Sequence, residues 1–319
     1  MAKKIRIFIF LFIFSCCDRV PYQKTFIISG TYLTVTSYEK QAISVAYDEF
    51  KRLDKIFNIY DPSSEVSCLN KSYNEPLLVS SEMIELLLLS RQVYDLTEGN
   101  FDISQGRVYN FWKKLKEGKK LKKFPSLEEI QTLVKKGGME FIEINPTTHT
   151  VTIKKKGLKL DFSGIAKGFM VDKAVMRLKK EGIKNVLINA GGDIYCLGKN
   201  KDSFWEVGIR DPASKEGIIE VLSLFNEAVA TSGSYEQFFI YNGKRYSHII
   251  NPKTGFPVTN DVLSVTVIAK NCTIADSLAT AFFVMGLRGI EKFLKQTPST
   301  MRIFVITKTS QGKKIHVFQ

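Results

Sequence analysis

Four short stretches of this 319-residue chain carry side chains suited to a charged ligand. In Leu160-Asp161-Phe162-Ser163-Gly164-Ile165-Ala166-Lys167 a strand-like segment breaks at Ser163-Gly164, and Ile165, Ala166, Phe169, Met170, Ala174 and Leu178 follow at helical spacing. Asp161, Gly164 and Lys167 therefore share a strand-to-helix turn, where free backbone amides favour an anion and the lysine adds positive charge. No Walker A loop is present, and an ordinary tight turn with a surface lysine fits the same spacing. Asn189-Ala190-Gly191-Gly192-Asp193 follows the apolar run Val186-Leu187-Ile188, and a glycine pair permits positive φ and close approach of backbone to a ligand. Asp276 and Thr280, four apart in a helical pattern, point to one side as hard oxygen donors suited to Mg²⁺. The run Thr273-Ile274-Ala275-Asp276 also fits a capping box, in which Asp276 only closes a helix start; spacing by itself favours the cap. His248 precedes a Pro/Thr-Gly turn, and the ordinary pKa of histidine suits a general base near neutral pH.

These residues need elements to hold them. Residues 26–37 alternate as a first strand. Ala42, Val45, Ala46, Phe50, Leu53 and Phe57 mark an amphipathic helix over 42–57. Pro62 enforces a loop over 60–64. A helix follows over 81–96, capped by Ser80 or Ser81, and another over 126–135, opened by Ser126 and Glu129. From residue 140 strands dominate: 140–144, 150–154, 158–162, 186–190, 194–197, 204–209, 218–224, 227–231, 236–241, 245–250, 263–269 and 302–307. Helices over 165–181, 273–285 and 288–295 interrupt them. Strands outnumber crossover helices, which excludes a doubly wound parallel sheet. The expected class is α+β, with largely antiparallel sheets and helices packed on their faces.

The N-terminus reads as a targeting segment. Lys3, Lys4 and Arg6 precede an unbroken apolar run from Ile7 to Phe14, too short for an ordinary spanning helix. Ser15-Cys16 then resembles a lipoprotein cleavage site, with Cys17 as the second choice; a plain signal peptide or a retained anchor fits the same run. The expected organisation is a signal peptide over 1–15, lipidation at Cys16, a tether over 16–25 and one domain over 26–319. Cys68, Cys196 and Cys272 are odd in number and lack CxxC spacing, so neither a disulfide framework nor a zinc site is indicated. The formal charge is +14, and Lys113, Lys114, Lys116, Lys119, Lys120, Lys122 and Lys123 crowd one stretch. That run fits a solvated helix end or attraction to anionic lipid headgroups; no recognised nucleic-acid motif accompanies it.

Taken in order, the motifs LDxxGIAKGxxxD at 160–172, NAGGD at 189–193, TSGxY at 231–235, HIIxPxTGxPV at 248–258 and ADxxAT at 275–280 resemble the ApbE family of flavin transferases. Earlier marks agree: Ser29-Gly30-Thr31, the run from Tyr60 to Glu65 with Leu69-Asn70, and Phe101-Asp102 with Phe111-Trp112. The resemblance spans about 26–308. It implies an enzyme that uses FAD as substrate, with Mg²⁺, to attach FMN through a phosphoester to a threonine of an acceptor subunit in a membrane or periplasmic redox complex. It implies that Asp276, Thr280 and the backbone carbonyl of Gly164 hold the metal, and that a threonine hydroxyl gives its proton to His248. By the same match, Tyr60, Asn100, Phe101, Asp102, Asp161, Lys167 and Ile250 contact FAD. Glycine geometry adds Gly191 and Gly192 as a close backbone approach to the pyrophosphate. With the leader, it implies a protein lipid-anchored to the periplasmic side of the inner membrane, with no nucleic-acid partner. The sequence departs from the family twice. Ser29 replaces a methionine that would touch FAD. Asn251 replaces an aspartate, keeping hydrogen bonding without charge; the aspartate either supports a histidine or holds a turn.

Overall fold

The computed structural model describes residues 20–116, 123–214, 216–235, 238–297 and 300–319. The predicted leader and Cys16 lie outside the described residues, as do Lys119, Lys120 and Lys122. The elements, in order, begin with β1 (Tyr22–Ile28), β2 (Thr31–Ser37), α1 (Gln41–Phe57), α2 (Glu65–Leu69), β3 (Leu77–Leu78), α3 (Ser81–Leu96), α4 (Gly106–Lys116) and α5 (Leu127–Val134). They continue with β4 (Ile142–Asn145), β5 (Thr150–Ile153), α6 (Ala166–Lys180), β6 (Val186–Ala190), β7 (Asp193–Leu197), β8 (Trp205–Arg210) and β9 (Ile218–Leu224). The chain closes with β10 (Glu227–Gly233), β11 (Phe238–Tyr241), β12 (Lys244–Ser247), β13 (Val262–Ala269), α7 (Cys272–Gln296), β14 (Arg302–Thr309) and β15 (Gly312–Phe318).

The central sheet runs β1-β2-β6-β7-β10-β13-β14-β15, and every neighbouring pair in it is antiparallel. This bears out the expected α+β class. Strand alternation decides the faces. In β2, Leu33, Val35 and Ser37 are buried while Tyr32, Thr34 and Thr36 are less so. Helices α1, α6 and α7 cover one face, where Phe50, Leu53, Phe169, Leu178 and Phe282 are fully or almost fully buried. Each such side chain contributes about 1.5–3 kcal/mol of transfer free energy. The β8–β9 ribbon covers part of the other face, with Trp205, Val207 and Leu224 packed on Val229, Ile268 and Ile306. A third core joins α4 and α5 to β11–β12: Val108, Trp112, Ile130, Phe239 and Ile250.

Several elements differ from the sequence reading. The strand expected over 26–37 is a hairpin, turned where Ser29 and Gly30 take φ of 53° and 70°. Strand β1 begins at Tyr22, so residues 22–25 of the expected tether pair in the sheet. Residues 158–162 form no regular strand; a single bridge pairs Gln105 with Lys159. Helix α7 is broken at Gly286 (φ 70°, ψ 175°), which agrees with the two helices expected there. At the break, Asn260 Nδ2 donates to the Phe283 carbonyl at 2.8 Å, occupying a carbonyl freed from the helix ladder.

Candidate active site

The loop over 160–168 is fixed by side chains that replace a strand neighbour. Asn70 Oδ1 accepts from Leu160 N at 2.6 Å, and Asn70 Nδ2 donates to the Leu160 carbonyl at 2.9 Å. Asp161 N donates to the Ile103 carbonyl at 2.8 Å, and the Asp161 carboxylate accepts from Ser163 N at 2.9 Å. The loop is thereby tied to Phe101-Asp102-Ile103. Phe101 packs beside Gly164: a Cβ there would stand 3.3 Å from the Phe101 ring and 3.4 Å from Thr280 Oγ1. Asp102 is buried, with Ser104 N donating to it at 2.8 Å and Gln105 Nε2 at 3.3 Å; burial pushes its carboxyl above the ordinary range.

Helix α6 starts at Ala166, and the preceding Ile165 provides no side-chain cap. One of its free amides, Gly168 N, donates to Asp276 Oδ2 at 3.1 Å. Lys167 projects from the same turn. Its ammonium is paired with Asp193 and lies 3.9 Å from Asp276 Oδ2. Burial disfavours that ammonium, but Asp193 and Asp276 more than offset this and hold it above the ordinary lysine range. Burial, with Asp193 beside it, pushes the Asp276 carboxyl upward; Asp193 is also raised by burial, against the pull of Lys167. Two buried carboxylates thus share one lysine, which leaves a deficit of positive charge.

Asp276 does not cap its own helix. The cap of α7 is Asn271, whose Oδ1 accepts from Ile274 N at 2.9 Å, and Thr273 gives its hydroxyl to Asp172 at 2.5 Å. The capping-box reading of Thr273 to Asp276 is therefore set aside. One turn further on, Thr280 Oγ1 lies 3.2 Å from Ser232 Oγ.

The structure so brings together Phe101, Gly164, Lys167, Asp276 and Thr280, and adds Asp193, Ser232 and Asp172. Their partnerships span up to about a hundred residues of chain, so spacing could not reveal them. Each of the three sits in a quoted motif, Asp172 closing 160–172, Asp193 closing the glycine pair and Ser232 in 231–235, but nothing local told which partner it would meet. Gly191 and Gly192 take φ of 63° and 100° in the tight β6–β7 turn that delivers Asp193. Both amides are engaged, Gly191 N with the Tyr32 carbonyl and Gly192 N with Asn189 Oδ1, each at 2.9 Å. What the pair offers a ligand is open space above Gly192, where a Cβ would meet nothing within 4 Å.

His248 is exposed in the bend after β12. His149 lies in the turn between β4 and β5, and His316 on β15 bonds Thr307. Ile250 is buried against Trp112 and Phe239 in the third core. Tyr60 is exposed, with Lys113 Nζ 4.3 Å from its ring centroid. Asn100 Nδ2 donates to the Thr97 carbonyl, and Asn100 lines a cavity of about 270 Å³ with Asn251, Met285 and Lys292. Asn251 Oδ1 accepts from Lys253 N at 2.9 Å and Thr254 N at 3.2 Å, while Trp112 Nε1 holds the Gly255 carbonyl at 2.6 Å. Residue 251 therefore holds the turn. A carboxylate can accept the same two bonds, so Asn251→Asp is expected to leave the rate–pH profile of catalysis overlaid on that of the unmodified protein. Asn251→Ala should lower stability by roughly 1 kcal/mol in denaturant titration.

Among the described residues no group of three or more His, Cys, Asp or Glu is placed to hold a metal. The candidate donors are mixed: the backbone of Gly164, packed beside Thr280, the Thr280 hydroxyl, and the Asp276 carboxylate one turn before it on α7. All are hard oxygen donors, and the shared-lysine cluster is short of positive charge, so these residues fit a hard divalent cation.

Residues 29–305 match the ApbE family. The FAD:protein FMN transferase of Vibrio cholerae serotype O1 is 35% identical over 259 residues, 80% of this chain and 76% of that protein. That of Haemophilus influenzae is 30% identical over 270 residues, 82% of this chain and 77% of the relative. The solved structure of the flavin transferase ApbE from Vibrio cholerae superposes with a TM-score of 0.82 at 29% identity, over 93% of this chain and 96% of that one. The ApbE protein of Thermotoga maritima superposes with a TM-score of 0.82 at 31% identity, over the same shares. Alike in sequence over most of its length and in fold over nearly all of it, the chain belongs to the ApbE family.

Proposed function

We propose that the protein is an FAD:protein FMN transferase that joins FMN to a threonine hydroxyl of an acceptor protein and releases AMP. The observation that carries this reading is the buried cluster at the start of α6, where Lys167, Asp193 and Asp276 adjoin Gly164 and Thr280. Its shortage of positive charge suits a cation carrying a diphosphate. The names of the relatives support the flavin chemistry.

In the proposed reaction the threonine Oγ attacks the phosphorus of the FMN half. A new P–O bond forms, the bond from that phosphorus to the bridging oxygen breaks, and the oxygen leaves with AMP. His248, exposed in the bend after β12, takes the threonine proton as general base. Lys167 remains charged throughout, because two carboxylates hold its proton, and serves as a fixed positive group beside the diphosphate. Gly164, Asp276 and Thr280 would hold Mg²⁺, which when bound neutralises charge on the diphosphate oxygens. Phe101, Asp102 and Asp161 shape the wall against which the flavin nucleotide rests, and Tyr60, Asn100 and Ile250 complete its contacts.

Incubation with FAD, Mg²⁺ and a periplasmic redox domain as acceptor tests the reading. FMN added to an acceptor threonine, with AMP in equal amount, is the expected result by mass spectrometry. Free FMN without acceptor modification would make the protein a pyrophosphatase, and intact FAD retained on the protein would make it a flavin carrier.

In this reading the leader directs the protein to the periplasmic side of the inner membrane, with Cys16 acylated and the acceptor a subunit of a membrane or periplasmic redox complex. Cys16→Ser is expected to move the protein from the membrane fraction to the soluble fraction, since lysines alone give weak, salt-sensitive attachment. An unmodified Cys16 in the mature native protein would refute the anchor.

A further inference from the structure

Asp172, on α6 beyond Lys167, belongs to none of the groups assigned above to FAD, metal or proton transfer. Its carboxylate accepts three hydrogen bonds from the start of α7: Cys272 N and Thr273 N at 2.8 Å each, and Thr273 Oγ1 at 2.5 Å. The helix's own cap, Asn271, reaches Ile274 N with its side chain, so the amides at 272 and 273 are satisfied from the neighbouring helix. The negative charge also faces the positive end of α7. The two helices touch a second time where Gly168 N meets Asp276 Oδ2. Between these points their backbones are in close contact. A Cβ at Gly168 would collide with the Cys272 carbonyl and stand 2.9 Å from Asp276 Cβ.

The oxygen donors of the candidate cation site come from both sides of this contact. Gly164 lies in the loop entering α6, whereas Asp276 and Thr280 lie on the first turns of α7. Their mutual placement depends on how the start of α7 is docked against α6. We infer that Asp172 is a positioning residue for the cation site: it pins the first turn of α7 to α6 and so sets Asp276 and Thr280 opposite Gly164. Asp172 itself touches neither cation nor substrate. This rests on the reading of Gly164, Asp276 and Thr280 as cation ligands.

Mn²⁺ binding to the purified protein, followed by the electron paramagnetic resonance signal of the free ion, separates positioning from simple helix capping. Asp172→Ala is expected to weaken Mn²⁺ binding roughly 10–100-fold, the usual cost of losing a group that orients metal ligands. Val175→Ala, a core truncation on the same helix, should lower the melting temperature and bind Mn²⁺ as the unmodified protein does. Asp276→Ala should lose binding. Where Asp172→Ala does not fold, Asp172→Asn carries the same expectation, because its amide NH₂ would face donors. If the Asp172 variant melts earlier but binds Mn²⁺ normally, Asp172 is only a cap and the inference falls alone. Equal weakening in Val175→Ala would tie the effect to stability and also overturn it. Undiminished binding in Asp276→Ala would remove the ligand reading and this inference together.

Discussion

Asp276→Ala is expected to abolish measurable FMN transfer while leaving a folded protein. The carboxylate is buried at the junction of α6 and α7, bonded to Gly168 N and 3.9 Å from the Lys167 ammonium. It is not part of the hydrophobic packing that holds α7 to the sheet, and Asn271 and Asp172 cap the helix without it. Losing it costs the Gly168 hydrogen bond, about 1 kcal/mol, and relieves the burial of a crowded charge. Catalysis loses far more, because a cation on the diphosphate supplies several kcal/mol of charge stabilisation. A rate drop of about 10³-fold or more is the expected reading in single-turnover assays with saturating FAD. Transfer at near the original rate, at unchanged Mg²⁺ demand, would show that Asp276 serves packing and Lys167 alone.

His248→Ala should lower single-turnover transfer by about 10²–10⁴-fold, the usual contribution of a general acid–base group. FAD affinity should persist, since the exposed side chain is outside the third core that fixes the turn over 251–256. Added imidazole is expected to restore part of the rate. An equal loss of FAD binding and turnover would make His248 a binding residue instead of a base.

Local pattern revealed the amphipathic elements well. Helix α1 buries Ala42, Val45, Ala46, Phe50, Leu53 and Phe57 as their spacing requires, and α5 carries the capping box of Ser126 and Glu129. Elements stabilised by distant partners were hidden. Helix α4 is rich in lysine, and what holds it is Trp112 packed on Phe239 and Phe256, more than a hundred residues away. Strand β15 is an edge strand in which Ile315 and Val317 alternate with Lys314 and His316 but stand exposed, so its alternation marks no buried face. The extended segment 158–162 has the composition of a strand, but its hydrogen bonds go to the Asn70 side chain and Ile103.

The site divides in the same way. The motif residues were legible because their types suit the chemistry at each turn. That Asp276 does not cap α7 was not legible, because it turns on Asn271 taking the cap and on Asp172 reaching across from α6 to take Thr273. Nor was the pairing of Lys167 with Asp193, which the β6–β7 turn creates through the positive φ of Gly191 and Gly192.

On the proposed function, FAD's diphosphate and a cation meet at the start of α6. Anomalous diffraction from crystals grown with FAD and Mn²⁺ tests it most directly. The expected result is one Mn²⁺ peak bound by the Gly164 carbonyl, Asp276 and Thr280, with the diphosphate against it and Lys167 alongside. Mn²⁺ bound only elsewhere, or FAD seated with its diphosphate away from Asp276 and Lys167, would contradict the account.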